Sequence, residues 1–394
     1  MFDLSALRAD TTGVQHVAHF NNAGAALMPA PVVETITQYI TLESEVGGYE
    51  AAELRRDAIR GFYTATAELL GTRPENIAAT SSATDAYARA LSAIPFRRGD
   101  VILTTINDYV SNQIAFLSLQ KRFGITIVRA DDDPKGGVSV EDMAAKIQSL
   151  NPRLVAVTHV PTNSGLVQPV EAIGALCREN DVLYLVDACQ SVGQFPVNVG
   201  QIQCDFLTAT CRKFLRGPRG MGFLYVSDKV LSEGYAPLFV DLHGASWESA
   251  DTFLPVPTAL RFEDWEFPYA LVLGAAEAHR YALTVGLDTI ASRNAVLCAQ
   301  LRGQLGTLPG VRLLDEGEHL SSIITLFSDR QPAEAIKAAL SAERINTSLS
   351  VYGGAILDYG RKGMTTAALR ISPHYYNTEA ELDTLVDTLQ RILA

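Results

Sequence analysis

From Ile77 to Val226 the chain alternates short apolar runs with segments of helical period, and no other feature narrows its fold as much. The runs are IAAT (Ile77–Thr80), VILTTI, ITIVRA, LVAVTH (Leu154–His159), VLYLV (Val182–Val186) and FLTAT (Phe206–Thr210). They are nearly continuous in apolar character, as strands covered on both faces must be. Helices are expected between them, from about Tyr109 to Phe123, over Val140–Leu150 and over Pro169–Asn180. The alternation predicts βαβ units around a mostly parallel sheet. Ligands on such sheets bind beyond the carboxyl ends of the strands. Five polar loops should therefore converge: Ser82–Thr84, Asn107–Asn112, Thr162–Asn163, Asp187–Gln190 and Thr210–Lys213.

The flanks read differently. Phe20–Pro31 (FNNAGAALMPAP) is a loop of small residues whose asparagines, Asn22 among them, can donate hydrogen bonds to a ligand. A helix is expected over Val32–Glu45 and one long helix over Glu50–Leu70. Past Val226 the rhythm loosens, and Pro237–Trp247 and Pro255–Pro268 read as loops. The remainder reads as a smaller α/β unit with the strands SSIITLFS and ALRIS and a closing amphipathic helix, Thr378–Leu393. The expected division is a large domain over residues 20–268 and a small one over residues 1–19 and 269–394.

A net charge of −12 and a pI near 5.1 argue against nucleic acid or an anionic membrane as the main partner. No apolar run approaches the roughly 20 residues of a membrane span. The first residues lack the basic and apolar regions of a secretory signal. The five cysteines form no CxxC pair and no His/Cys cluster with metal spacing. Reduced thiols, no metal and a cytoplasmic location are the expectation.

Three features then suggest chemistry. Lys213 sits between FLTAT and a basic, glycine-rich turn, RGPRG, where cations and burial would favour a neutral, nucleophilic amine. Ser81–Ala90 (SSATDAYARA) places hydroxyls and small residues at a helix start, where free N–H groups can seat a phosphate. Asp187 ends an apolar strand, where a carboxylate can hold a heterocyclic nitrogen protonated. Together they fit pyridoxal 5'-phosphate, which acts as an electron sink for a carbanion at a substrate α-carbon.

Several motifs, in order, carry a resemblance over nearly the whole chain: ATSSATDA, THVPTNSGLVQPV, VDACQSVGQFPVNV, CDFLTATCRKFLRGPRGMGFLYV, RFEDWE and LRISPHYYNT. The chain resembles the class V aminotransferase family of fold-type I pyridoxal phosphate enzymes, in the branch with cysteine desulfurases, C–S lyases and isopenicillin-N epimerase. That resemblance implies a large domain with a seven-stranded sheet between helices, a smaller C-terminal α/β domain and a homodimer. It implies that Lys213 forms the Schiff base, Asp187 pairs with the pyridine nitrogen and Gln190 contacts the ring oxygen. Ala83 and Thr84 would seat the phosphate with Thr210 and Arg212. Thr162 joins the cofactor residues, while Arg370 would clamp the carboxylate of a small amino-acid substrate, with Asn22 nearby.

Departures from the family pattern bear on the reaction. Arg212 stands where many relatives have histidine. The loop NDYVSN replaces EHHAN, which makes Tyr109 the candidate ring-stacking residue. Trp265–Glu266 replace a Gly-Thr pair that reaches the partner's phosphate. Desulfurases carry a persulfide-forming cysteine before the carboxylate-binding arginine, and none lies between Thr347 and Arg370. Cys189 and Cys211 are expected to be packed small residues. The expected reaction is β-elimination on a cysteine-derived substrate. The alternatives are transamination, epimerisation with Tyr109 or His243 as second base, and a non-catalytic cofactor-binding protein of the same fold.

Overall fold

The computed structural model describes residues 2–394. Its centre is a seven-stranded sheet. In chain order the strands are β1 (Ile77–Thr80), β2 (Val101–Thr105), β3 (Thr126–Ala130), β4 (Leu154–Thr158), β5 (Leu183–Asp187), β6 (Phe206–Thr210) and β7 (Gly222–Val226). Across the sheet they lie in the order β1-β7-β6-β5-β4-β2-β3. Only β7 runs against its neighbours, because a short turn from β6 must reverse direction whereas the helical crossovers keep it. The strands of the sheet interior are buried on both faces, which explains their unbroken apolar character. One face packs residues such as Leu207, Tyr184 and Phe223, and the other Leu185, Phe206 and Leu224.

Gly222 shows how tightly the site end is built. A Cβ there would lie 2.7 Å from Ala209 O and 2.8 Å from Ala83 N, so only glycine lets the helix Ala83–Ala93 approach β6 and β7 so closely. The expected long helix over Glu50–Leu70 is instead two, Gly48–Leu54 and Arg56–Leu70. The break falls at Arg55, whose backbone (φ −111°, ψ 13°) leaves the helical region, a bend without the glycine or proline that would have marked it. An antiparallel hairpin, Ala245–Ser249 with Thr252–Pro255, falls mostly between the two stretches expected as loops and overlaps them only at Ala245–Trp247 and Pro255. Its Trp247, Phe253 and Leu254 are exposed.

A second, four-stranded antiparallel sheet contains Val311–Leu313, Ile324–Ser328, Ala368–Ile371 and Ser348–Ser350 in that spatial order. Helices Leu287–Leu305, Ala333–Ala342 and Glu379–Leu393 cover it. Thr378 and Glu381 close the last helix with a reciprocal capping box, worth about 1 kcal/mol. The N-terminal segment belongs to this side, since Ala18–His19 pairs in parallel with Ile345–Asn346.

Arg216 joins the two sheets. It is 1% exposed and holds a left-handed backbone (φ 61°) in the turn after Lys213. Its guanidinium lies 4.4 Å from the Tyr376 ring centroid and 5.3 Å from that of Tyr375. It donates to Tyr375 Oη (2.6 Å), Thr11 Oγ1 (2.6 Å) and Leu27 O (2.9 Å). Aromatic faces and neutral oxygens thus stabilise a buried cation in place of a carboxylate. Among the described residues no helix is long and apolar enough to cross a membrane.

Candidate active site

All five polar loops meet at the carboxyl ends of β1, β2, β4, β5 and β6. They form a cavity with Thr84, Tyr109, Thr162, Asp187, Gln190 and Lys213 among the walls.

Lys213 follows β6 in a turn closed by Arg216 N donating to Lys213 O (2.8 Å) and Gly217 N donating to Cys211 O (2.8 Å). The side chain is buried, with Nζ 6.0 Å from the Tyr109 ring centroid. Burial lowers its pKa from the ordinary lysine value. Cys189 and Asp187 oppose that shift, while Arg212 and Arg370 add to it. Asp187 accepts Cys189 N on one oxygen (3.0 Å) and Asn112 Nδ2 on the other (3.1 Å). Each oxygen keeps capacity for a further donor.

Ser82 caps the helix Ala83–Ala93 by accepting Asp85 N (3.1 Å), and Ala83 and Thr84 face the cavity at the positive end of the helix dipole. Thr210 and Arg212 also line this cavity. Their present partners are protein carbonyls: Thr210 Oγ1 donates to Met221 O (3.2 Å) and Arg212 Nη1 to Gly24 O.

Arg370 lies beside the cavity. Its Nη1 donates to both the carbonyl and the hydroxyl of Thr162, and Gln190 Nε2 donates to the same hydroxyl (3.2 Å). Its Nε is buried without a partner. Among the described residues no carboxylate lies within salt-bridge distance of it, and burial pushes its pKa down to about 10. A buried guanidinium in this condition favours an incoming anion.

Asn22 does not join the cavity walls. It is fully buried, donates to Ser372 O (2.7 Å) and His19 O, and accepts the Tyr376 hydroxyl. Its amide ties the N-terminal loop to the C-terminal one. Cys189 also departs from expectation, because it lines the cavity, whereas Cys211 is packed against His279. Burial pushes both thiols up, toward the protonated form. Thr158 and Asn112 are wall residues that the sequence placed within a motif and a polar loop but gave no role of their own. Both lie at strand or helix ends on the ligand side of the sheet, and that position was the available signal.

A model of the family described as "Aminotransferase class-V" matches residues 18–385. The chain belongs to the class V aminotransferase family. Among relatives in this family, a "Probable cysteine desulfurase" of Methanothermobacter thermautotrophicus is 26% identical, with 98% of this chain and 97% of that protein covered. A "Probable hercynylcysteine sulfoxide lyase" of Mycobacterium tuberculosis is 27% identical, covering 94% and 89%. The apo structure of a cysteine desulfurase from Thermococcus onnurineus superposes with a TM-score of 0.91 at 23% identity, over 99% of this chain and 98% of that one, which establishes the shared fold.

Pyridoxal 5'-phosphate is the cofactor this class V membership brings, and the residues present fit it. The cavity combines a buried lysine, a capped helix start and a strand-end carboxylate. Gln190 lines the same wall and carries in its Nε2, which donates to Ala23 O (3.0 Å) and Thr162 Oγ1 (3.2 Å), the kind of donor a ring oxygen would take.

Proposed function

We propose that the protein is a pyridoxal phosphate-dependent lyase that expels the β-substituent of a cysteine-derived amino acid. The observation that carries this reading is the segment between Ser350 and Ala368. It contains a short helix, Ile356–Arg361, has no thiol, and is fastened to the cofactor side. Asp358, 1% exposed, accepts Asn163 Nδ2 (2.8 Å) from a loop at the cavity, and Arg361 pairs with Asp132. Cys189 is the one thiol at the cavity among the described residues, and its raised pKa is opposite to what a persulfide-forming nucleophile needs. The name of the mycobacterial relative points the same way.

Lys213 would hold the cofactor, Asp187 its ring nitrogen and Gln190 its ring oxygen, with Tyr109 stacked on the ring. Ala83, Thr84, Thr210 and Arg212 would surround the phosphate, with Thr162 also in the cofactor wall. Bound there, the cofactor supplies an electron sink for the substrate α-carbon. Arg370 orients the substrate by its carboxylate, and the neutral form of Lys213, favoured by burial, takes the α-proton. The sulfur group then leaves with its electron pair. His243 is turned toward Glu263 (3.4 Å) and lines no part of the cavity, so a second base for epimerisation is not provided there.

Ile40, Tyr49 and Trp265 are exposed around a groove, and the hairpin separately exposes Trp247 and Phe253. A second copy of the chain is the proposed partner for this surface.

Incubation with cystine, cysteine, cysteine sulfoxides and plain amino acids tests the reaction. Pyruvate and ammonia should form from a sulfur substrate without any keto acid. Alanine with sulfur left on the protein would instead show a desulfurase, and amino transfer that depends on a keto acid would show an aminotransferase.

A further inference from the structure

A second carboxylate lies behind Asp187. Asp108 is 7% exposed and is surrounded by donors. Its Oδ1 accepts Tyr109 N (2.7 Å), Thr158 Oγ1 (2.5 Å) and Asn112 Nδ2 (3.1 Å). Its Oδ2 accepts Gln113 Nε2 (2.7 Å), with Thr104 Oγ1 farther off at 3.4 Å. The Gln113 oxygen in turn accepts Arg129 Nη2 (2.7 Å). Asn112 is the link, because the same Nδ2 that reaches Asp108 also reaches Asp187 Oδ2 at 3.1 Å. The row Arg129–Gln113–Asp108–Asn112–Asp187 therefore runs from the half-buried edge of the sheet to the cavity wall.

We infer that Asp108 is a positioning residue that fixes Tyr109 and Asn112 and places a second negative charge behind Asp187, strengthening its hold on a protonated ring nitrogen. The inference rests on the proposal above that Asp187 faces that nitrogen. Two parts of the geometry support it. Tyr109 N donates to the Asp108 carboxylate, so the carboxylate sets the start of the helix Val110–Phe123 and with it the ring beside Lys213. The backbone and amide N–H groups facing Asp108 can only donate, which favours its charged form despite burial. Burial does raise its pKa, and hydrogen bonds from Thr158, Gln113 and Asn112 oppose that rise. Two negative groups, one in the wall and one behind it, both attract a cationic ring, and burial screens that attraction less than water would.

The test compares two probes on the full-length chain: pyridoxal 5'-phosphate and its 1-deaza analogue, whose ring carries CH in place of the nitrogen. The analogue keeps the phosphate, the aldehyde and the stacking face and loses only the group Asp187 would hold. The double substitution Asp108→Asn with Gln113→Glu exchanges carboxylate and amide. The new amide at position 108 can still accept from Tyr109 N and Asn112, and its nitrogen can donate to the new carboxylate at position 113. That carboxylate still accepts from Arg129. The hydrogen bonds with Tyr109, Asn112, position 113 and Arg129 are kept, only the long contact from Thr104 Oγ1 (3.4 Å) loses its acceptor, and the charge moves away from Asp187. The preference for pyridoxal phosphate over the analogue should shrink by about tenfold, the equivalent of one unit of proton affinity. Arg129→Met removes the cation at the far end and should enlarge the preference by about twofold, a weaker effect because of distance and screening. Equal losses for both probes, or an unchanged preference in both variants, would overturn the inference and leave the cofactor seat standing. Failure of the unmodified chain to bind either probe would overturn the seat and the inference together.

Discussion

Replacing Lys213 with alanine is expected to remove the visible absorption band of the bound cofactor and to lower turnover by about 10²–10⁴-fold or more, the range for losing a positioned acid–base group. The fold should survive. Lys213 is buried, its amine is desolvated, and the turn that carries it is closed by backbone hydrogen bonds that alanine keeps. Thermal unfolding of the cofactor-free variant should accordingly match the parent or lie slightly above it, because an uncompensated buried amine is removed. Spectra and unfolding curves recorded on the same preparation check both halves. A variant that kept the band would remove Lys213 from its proposed role.

The second large effect is expected at Arg370. Arg370→Ala should raise KM for the amino-acid substrate by about 10–100-fold, the value of charged hydrogen bonds to a carboxylate. Arg370→Lys should recover only part of it, because an ammonium cannot offer the planar fork. Affinity for the cofactor should change much less. These expectations follow from the position of the guanidinium, which is held by Thr162 on one edge and lacks any carboxylate partner among the described residues. Steady-state kinetics with a sulfur substrate, beside a cofactor titration, separates the two. An equal loss of cofactor and substrate affinity would show that Arg370 acts through Thr162 and the wall instead of through the substrate.

The large sheet was legible because its strands are continuous apolar runs, and runs of that kind fit a sheet covered on both sides. The loops were legible for the same reason, since the carboxyl ends of such strands share one edge. Thr84, Asp187, Gln190 and Lys213 could therefore be gathered without knowing any distance. Partners chosen by long-range packing could not be. Asn22 looked like a free donor, yet Ser372 and Tyr376 engage it across most of the chain length. The bend at Arg55 has no local marker, and the exposed hairpin Ala245–Pro255 was not expected because its faces lack an inward apolar alternation. Asp108 was one letter in a polar loop, and only the register of β2 against β4 brings Thr158 to it.

Arg216 has a consequence for how the molecule comes apart. Its guanidinium is bonded to Thr11, Leu27 and Tyr375 at once, and its own backbone closes the turn that carries Lys213. Peeling the small sheet from the large one would break these hydrogen bonds and the guanidinium's contacts with Tyr375 and Tyr376 in one step. Melting of the two sheets is therefore expected to be coupled. The lysine turn is also the keystone of the whole chain, and a denaturation profile with a single transition is its thermodynamic signature.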